Sequence, residues 1–314
     1  MEQPSEPKNE ELSQAHSGNE DGISENTVCR VIHSMASTGT TAIARCIAAL
    51  PNVMLMNEVS PNGLVQNRFS PIDPIEQALS RYEDFKLTQT DLERVFAERL
   101  RPVVKYCDNN KIALVLRDHS HSDFMNEELA HKPPRGSIIP AVRKLYPKGC
   151  IASLVIVRHP LASYITARKS GFLAMTPSLD DYCARYKDFL DYYRPAPRVR
   201  FEAFTSNAWA NLQLIASHLD LTARRAALRR FTSIPLSGNS GRHGGDAAIH
   251  PVLMRPFDEG LRTLAQRSPA YATLCDDLQY PQDPLEYARV QLRAALDHDP
   301  TNAAALEEHK RLKV

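Results

Sequence analysis

The sequence predicts an α/β domain, a central parallel β-sheet flanked by helices, and three observations carry that prediction. Short runs rich in Val, Ile and Leu (TVCRVI, VMLMNEV, KIALVLRDHS, CIASLVIVRHP) alternate with segments whose apolar residues recur at helical spacing. Three of these runs end in clusters of polar residues, and open parallel sheets bind ligands outside the carboxyl ends of their strands. The first run leads into a short loop, Ser37-Thr38-Gly39-Thr40-Thr41, and a helical pattern, TAIARCIAAL, leads out of it.

Residues 1–26 are acidic and too polar to bury a core, so they are expected to be disordered. The main domain is expected over residues 27–285. It opens with TVCRVI as a strand, a helix from about Thr40 to Leu50, and VMLMNEV as a second strand. A helix-rich stretch follows, including DLERVFAERLRPVVKYC, then KIALVLRDHS and CIASLVIVRHP as buried strands. After Arg168 the pattern turns helical, with one more strand expected at RVRFEAF and a helix through NLQLIASHL. Residues 237–246, SGNSGRHGGD, form a glycine-rich loop that no core demands. The last segment, 286–314, contains VQLRAALDHDPTNAAALEEHKRL, which resembles the junction between helices of a tetratricopeptide repeat. One half-repeat cannot bury its own face, so it is expected as an appended helical tail able to contact a protein partner.

The totals exclude several classes of function. With 38 basic and 37 acidic side chains, net charge gives no general reason to bind nucleic acid or a membrane surface. No run approaches the roughly 20 apolar residues of a membrane span, and the N-terminus lacks the basic start and apolar stretch of a signal peptide. The six cysteines are scattered without a CxxC pair, as expected of buried thiols in a reducing compartment. A cytoplasmic location is the resulting expectation.

The Ser37–Thr41 loop has the makings of an anion site. Glycine lets the backbone turn tightly, and the first N–H groups of the following helix point at whatever sits there, aided by the helix dipole. Ser and Thr in these positions also serve as helix caps. The full GxxxxGK[ST] nucleotide loop is absent, which removes the main support for an ATPase, GTPase or nucleotide kinase.

With these residues in view, the chain resembles the sulfotransferases that use PAPS (3′-phosphoadenosine 5′-phosphosulfate), whose P-loop fold looks like that of a nucleotide kinase. Thr38-Gly39-Thr40-Thr41 matches the S-G-T-T of the family's 5′-phosphosulfate loop, P-[KR]-S-G-T-T. Ala36 and Ser37 stand where proline and the cation usually lie. Arg158-His159-Pro160, with Thr166 eight residues after the arginine, resembles the family's 3′-phosphate segment. A guanidinium there offers a planar fork for phosphate oxygens. SGNSGR resembles the late glycine-rich loop, with Arg242 reaching the 3′-phosphate, and RVRFEAF with its following helix resembles another family pattern. The resemblance covers about residues 27 to 260. It implies PAPS as co-substrate, no metal, and a small-molecule or glycan acceptor bearing a hydroxyl or amine. An inactive nucleotide-binding scaffold on the same fold is the alternative. The absent loop cation requires charge from elsewhere. Arg117, Arg168 and Arg242 are the candidates, while Arg45, six residues past Gly39, is expected to point away.

Two residues are candidates for the base that takes the acceptor's proton. His119, in Arg117-Asp118-His119, occupies the place of the histidine in the family's [KR]-[ST]-H segment, and imidazole accepts protons near neutral pH. Glu58, in MNEVSP, matches a position where other branches carry a glutamate base. His119 is the first choice and Glu58 the second. His119 and His121 also have a spacing that would suit a metal, with Asp118 or Asp123 as third ligand. Phe85, Tyr182 and Tyr186 stand in the segments expected to build the acceptor pocket, at spacing that also suits a core.

Overall fold

A computed structural model describes residues 28–63, 74–81, 83–125, 138–170, 178–236 and 248–312. The expected N-terminal disorder and the glycine-rich loop with Arg242 lie outside these residues. The strands are β1 (Val28–Ser34), β2 (Val53–Val59), β3 (Ala113–Asp118), β4 (Cys150–Val157) and β5 (Arg198–Arg200). All pair in parallel in the order β2-β3-β1-β4-β5, so β1 is central and the expected fold class is present.

In chain order the helices among the described residues begin with α1 (Thr40–Ala48), α2 (Pro74–Arg81), α3 (Gln89–Asn109), α4 (Ser120–Met125) and α5 (Ile138–Leu145). Next come α6 (Pro160–Lys169), α7 (Leu179–Tyr192), α8 (Phe201–Ser206), α9 (Ala208–His218) and α10 (Ala227–Arg230). The last four are α11 (Glu259–Arg267), α12 (Pro269–Leu278), α13 (Pro284–His298) and α14 (Ala303–Leu312). None of them is long and apolar enough to cross a membrane.

Period-two geometry explains why β1 reads as a continuous apolar run. Val31 and Ile32 are neighbours pointing to opposite faces, and both are fully buried. Ile32 joins Val115, Leu154 and Ile156 under α1 and α9, where Ile43, Ile47, Leu212 and Ile215 pack. Val31 joins Leu114 and Leu116 under α3 and α5 through Ala97, Val104, Ile138 and Val142. A larger cluster beyond them is helical and aromatic, with Tyr182, Tyr186 and Phe189 of α7 fully buried. These tyrosines belong to the core, and Phe85 is exposed. Five cysteines are buried free thiols and Cys150 is exposed.

Two boundaries differ from the sequence expectation. RVRFEAF is a strand only through Arg200, because Phe201 opens α8 and turns the chain under α1. The division expected at residue 285 falls inside α13, whose Tyr287 and Ala288 are buried in the large core. The rest of that helix and α14 close a small cluster of Leu292, Ala295 and Ala305, with Leu253 packed against it.

Candidate functional site

At the carboxyl end of β1 the chain crosses from Ser34 to Thr40 through a loop with two left-handed residues, Ser37 at φ 64° and Gly39 at φ 84°. Left-handed residues within a tight turn bring successive N–H groups into one concavity that suits an anion. Gly39 is required twice over. Its φ disfavours any side chain, and a Cβ there would lie 2.3 Å from ring carbons of Phe201. As the N-cap of α1, Gly39 has no side chain to bond the first turn; its carbonyl accepts from the Ala42 N–H at 3.1 Å, and the N–H groups that open a helix before its ladder begins suit an anion. Thr38 is buried, and its hydroxyl donates to the Met35 carbonyl at 2.9 Å and lies 2.9 Å from the Thr40 hydroxyl. The hydroxyls of Thr38 and Thr40 therefore brace the loop.

Arg158 follows the end of β4, one strand over. Its Nη1 donates to the Ser37 carbonyl at 3.1 Å and lies 3.5 Å from Thr166 Oγ1. Its guanidinium lies over the ring of Phe201, 5.2 Å from the centroid. Two motifs more than a hundred residues apart thus meet on one aromatic ring. Ser37–Thr41, Arg158 and Thr166 line a single cavity of about 500 Å³, together with Phe201 and, at the end of α6, Lys169 and Ser170.

Glu58 lies on the opposite wall. The register between β2 and β3 slips between Met56 and Val59, and Glu58 occupies this bulge at φ 54°. Bulges re-aim side chains, and here the carboxylate enters the cavity. Arg117 holds it at 3.2 Å and donates its other nitrogen to Asn57 Oδ1 at 2.8 Å. Burial pulls the Arg117 guanidinium below its usual value, and Glu58 opposes that pull. Of the two histidines, His121 lines the cavity and His119 does not. Their rings meet edge to face at 4.0 Å. Burial, then His119 and Arg117, lowers the His121 imidazole to about 3. His119 is lowered by burial against the pull of Glu58 and Asp118. Among the described residues no group of three His, Cys, Asp or Glu side chains is placed to hold a metal ion.

Two buried polar clusters support these walls. Behind the loop, Asp118 Oδ2 accepts from Ser120 at 2.6 Å and Tyr193 at 3.0 Å, and faces His33 Nδ1 at 2.8 Å. This ties the ends of β1 and β3 to the residue following α7. Beside Phe201, Glu202 accepts from the His159 backbone N–H at 3.2 Å, from Tyr280 at 2.5 Å and from Tyr287 at 2.6 Å. The His159 ring stacks on Tyr287 at 3.7 Å, and burial lowers the imidazole to about 3.

The cations differ from those expected. Arg117 and Arg158 line the cavity, but Arg168 is exposed and lies over Tyr164, and its neighbour Lys169 takes the place at the wall. Arg255 lines it from the segment before α11. Arg45 is buried and also lines it, contrary to the expectation that it points away. Five cations therefore surround one carboxylate, Glu58, among the described residues of the lining. Lys169, Arg255 and Phe201 were missed in the sequence, and His121 was singled out there only for a spacing that would suit a metal. Of the three missed, Phe201 carried a signal, an aromatic residue at the end of a short strand.

The chain matches no known protein-family model and no curated protein sequence. Solved structures similar to it include the sulfotransferase domain of the olefin synthase from Synechococcus PCC 7002, at 17% identity and TM-score 0.47, covering 82% of this chain and 96% of that one. A sulfotransferase from Alicyclobacillus acidocaldarius is 13% identical at TM-score 0.35, covering 65% and 89%. One from Mycobacterium tuberculosis H37Rv is 14% identical at TM-score 0.35, covering 66% and 71%. At these values the likenesses carry no weight for function.

Proposed function

We propose that this protein transfers a sulfuryl group from PAPS to a hydroxyl or amine of a small-molecule or glycan acceptor. The observation that carries the reading is the meeting of the Ser37–Thr41 loop with Arg158 and Thr166 in one cavity whose lining, among the described residues, holds five cations and one carboxylate. Such a wall favours a ligand with several negative charges, and a nucleotide carrying phosphates at both ends of its ribose is one. In the reaction the acceptor oxygen or nitrogen bonds to sulfur. The bond between sulfur and the bridging 5′-phosphate oxygen breaks, and its electron pair leaves with adenosine 3′,5′-bisphosphate. The acceptor proton passes to a base on the opposite wall. Glu58 suits that role better than His119, because its carboxylate lines the cavity and His119 does not. His121, lowered to about 3, suits a neutral hydrogen-bonding role.

Ser37, standing where the resemblance places a cation, favours a second reading in which the fold binds a nucleotide without turnover. Calorimetric titration with adenosine 3′,5′-bisphosphate, with AMP and ATP–magnesium as comparators, tests both readings. Tight binding of the bisphosphate alone is expected, and radiolabelled transfer from PAPS across an acceptor panel then separates enzyme from scaffold. Preference for ATP–magnesium, or no binding of any nucleotide, would overturn the proposal.

A further inference from the structure

We infer that Glu202 is a positioning residue for Arg158, and that through it the C-terminal helices set the preference for a nucleotide bearing a 3′-phosphate. The inference rests on the sulfuryl-transfer reading, in which Arg158 meets that phosphate, and adds the group that aims the arginine.

Arg158 stands between the end of β4 and the start of α6. Side chains hold its backbone on both sides of its Cα. The Arg158 N–H donates to the Tyr186 hydroxyl at 3.1 Å, and the next N–H along, that of His159, donates to Glu202 Oε1 at 3.2 Å. Pro160 follows and has no N–H to offer. With the peptide groups before and after it pinned, the direction in which Arg158 leaves the backbone is fixed. Its far end is set from the same place. The guanidinium lies over the Phe201 ring, 5.2 Å from the centroid, and Phe201 immediately precedes Glu202 on α8. Two adjacent residues thus meet both ends of one arginine, a ring under the guanidinium and a carboxylate at the backbone.

Glu202 is held in turn from the C-terminal helices. Its Oε2 accepts from the Tyr280 hydroxyl at 2.5 Å and its Oε1 from the Tyr287 hydroxyl at 2.6 Å. Tyr280 lies between α12 and α13, and Tyr287 lies within α13. Glu202, Tyr280 and Tyr287 are all buried. A carboxylate at such depth is costly unless donors meet it, and these donors come from three separate places in the chain. Away from water such bonds are strong, so a shift of either tyrosine is passed to the His159 N–H and with it to Arg158. The His159 ring stacked on Tyr287 ties the same two segments a second time. A carboxylate buried for stability alone has no need to reach the residue beside a cavity-lining arginine; this one takes one of its three bonds there.

The test uses the full chain and calorimetric titration with three probes: adenosine 3′,5′-bisphosphate, AMP with only the 5′-phosphate, and 3′-AMP with only the 3′-phosphate. Arg158→Ala is expected to weaken the bisphosphate and 3′-AMP by about 10- to 100-fold, the range for a lost hydrogen bond to a charged group, and to spare AMP. Glu202→Gln keeps the shape of the side chain but turns one acceptor into a donor that faces donors. It is expected to weaken the same two probes about tenfold, the low end of that range, with AMP unchanged. In the Arg158→Ala background Glu202→Gln should cost nothing further, because residues that act through one another are not additive. If Glu202→Gln lowers the melting temperature too far for titration, Tyr287→Phe leaves His159 and Tyr280 bonded to the carboxylate. That variant is expected to weaken the bisphosphate about threefold, within the worth of one neutral hydrogen bond, and to spare AMP. Unchanged bisphosphate affinity in the variant titrated, equal weakening of all three probes, or additive losses with Arg158→Ala overturns the inference and leaves the reading intact. If Arg158→Ala itself weakens AMP as much as the bisphosphate, the 3′-phosphate assignment fails and the inference with it. Absence of bisphosphate binding by the parent overturns both inference and reading.

Discussion

The two walls of the cavity solve their tasks by different means. The wall formed by Ser37–Thr41 and Arg158 works with backbone and fixed charge, its hydroxyls turned inward to brace the loop and its arginine bonded to a carbonyl. The opposite wall works with one side chain, Glu58, lifted into place by a bulge and a left-handed backbone and steadied by Arg117. An anion of fixed shape is well served by amides that need no titration. Proton transfer needs a group that can change state, and such a group must be aimed. The molecule spends backbone strain at both places, but only the second wall spends it on orienting a side chain.

The sharpest way to break this contrast is Glu58→Gln, which keeps the shape of the aimed side chain and removes its basicity. Turnover is expected to fall about 10²- to 10⁴-fold, the usual worth of a general base, with bisphosphate affinity within twofold by calorimetry; His119→Ala should cost far less. If His119→Ala is the more damaging of the two, the role assigned to the opposite wall is wrong.

Gly39→Ala attacks the other wall. The substitution combines a left-handed penalty of about 1–2 kcal/mol with overpacking against Phe201 of about 1–3 kcal/mol. A lowered melting temperature and lost bisphosphate binding should follow. Adding Phe201→Ala should recover part of the stability by removing the ring that the new methyl meets, and a strictly additive double variant would show that the ring is not the obstacle.

Protons probe the support beneath the first wall. His159 is buried and neutral, its folded value lowered to about 3 against an ordinary 6.5. A histidine depressed in this way contributes stability that is present above pH 6.5 and is lost as pH falls from there toward 3. By linkage the loss is about 2 kcal/mol at pH 5. Denaturant melts of the parent and of His159→Gln at pH 7.5 and 5 check this; the glutamine variant should show the shallower dependence.

The smallest expected effect is Tyr287→Phe. It removes one of the hydroxyls that Glu202 accepts and should cost about 1 kcal/mol, the net worth of an ordinary hydrogen bond, read as a shift in denaturant midpoint. No measurable shift would mean that the tail contributes through packing alone.

The same contrast governs what the sequence disclosed. Ser37–Thr41 and Arg158 with Thr166 are contiguous motifs, because a strand, a loop and a helix must follow one another to open an amide nest. The strands were legible for a similar reason: burial on both faces of a parallel sheet leaves nearly unbroken apolar runs such as LVIV. The opposite wall depends on a bulge, on β2 lying next to β3, and on which of His119 and His121 faces inward, and periodicity encodes none of these. Arg45 was misread because spacing from Gly39 says nothing about the backward slant of a helical side chain. Phe201 starts a helix where its β-favouring neighbours suggest a strand, since its contact with Gly39, far away in sequence, outweighs local preference. The boundary near residue 285 was misplaced because Tyr287 buries against Glu202, a partner visible only in three dimensions.

Leu253 has a consequence of its own. It borders the cavity and is also packed against the small cluster formed by Leu292, Ala295 and Ala305. A side chain wedged between two such neighbours cannot repack for one without disturbing the other. The helices α13 and α14 and the space before the loop therefore meet on one side chain, and a change in volume at either bears on the other.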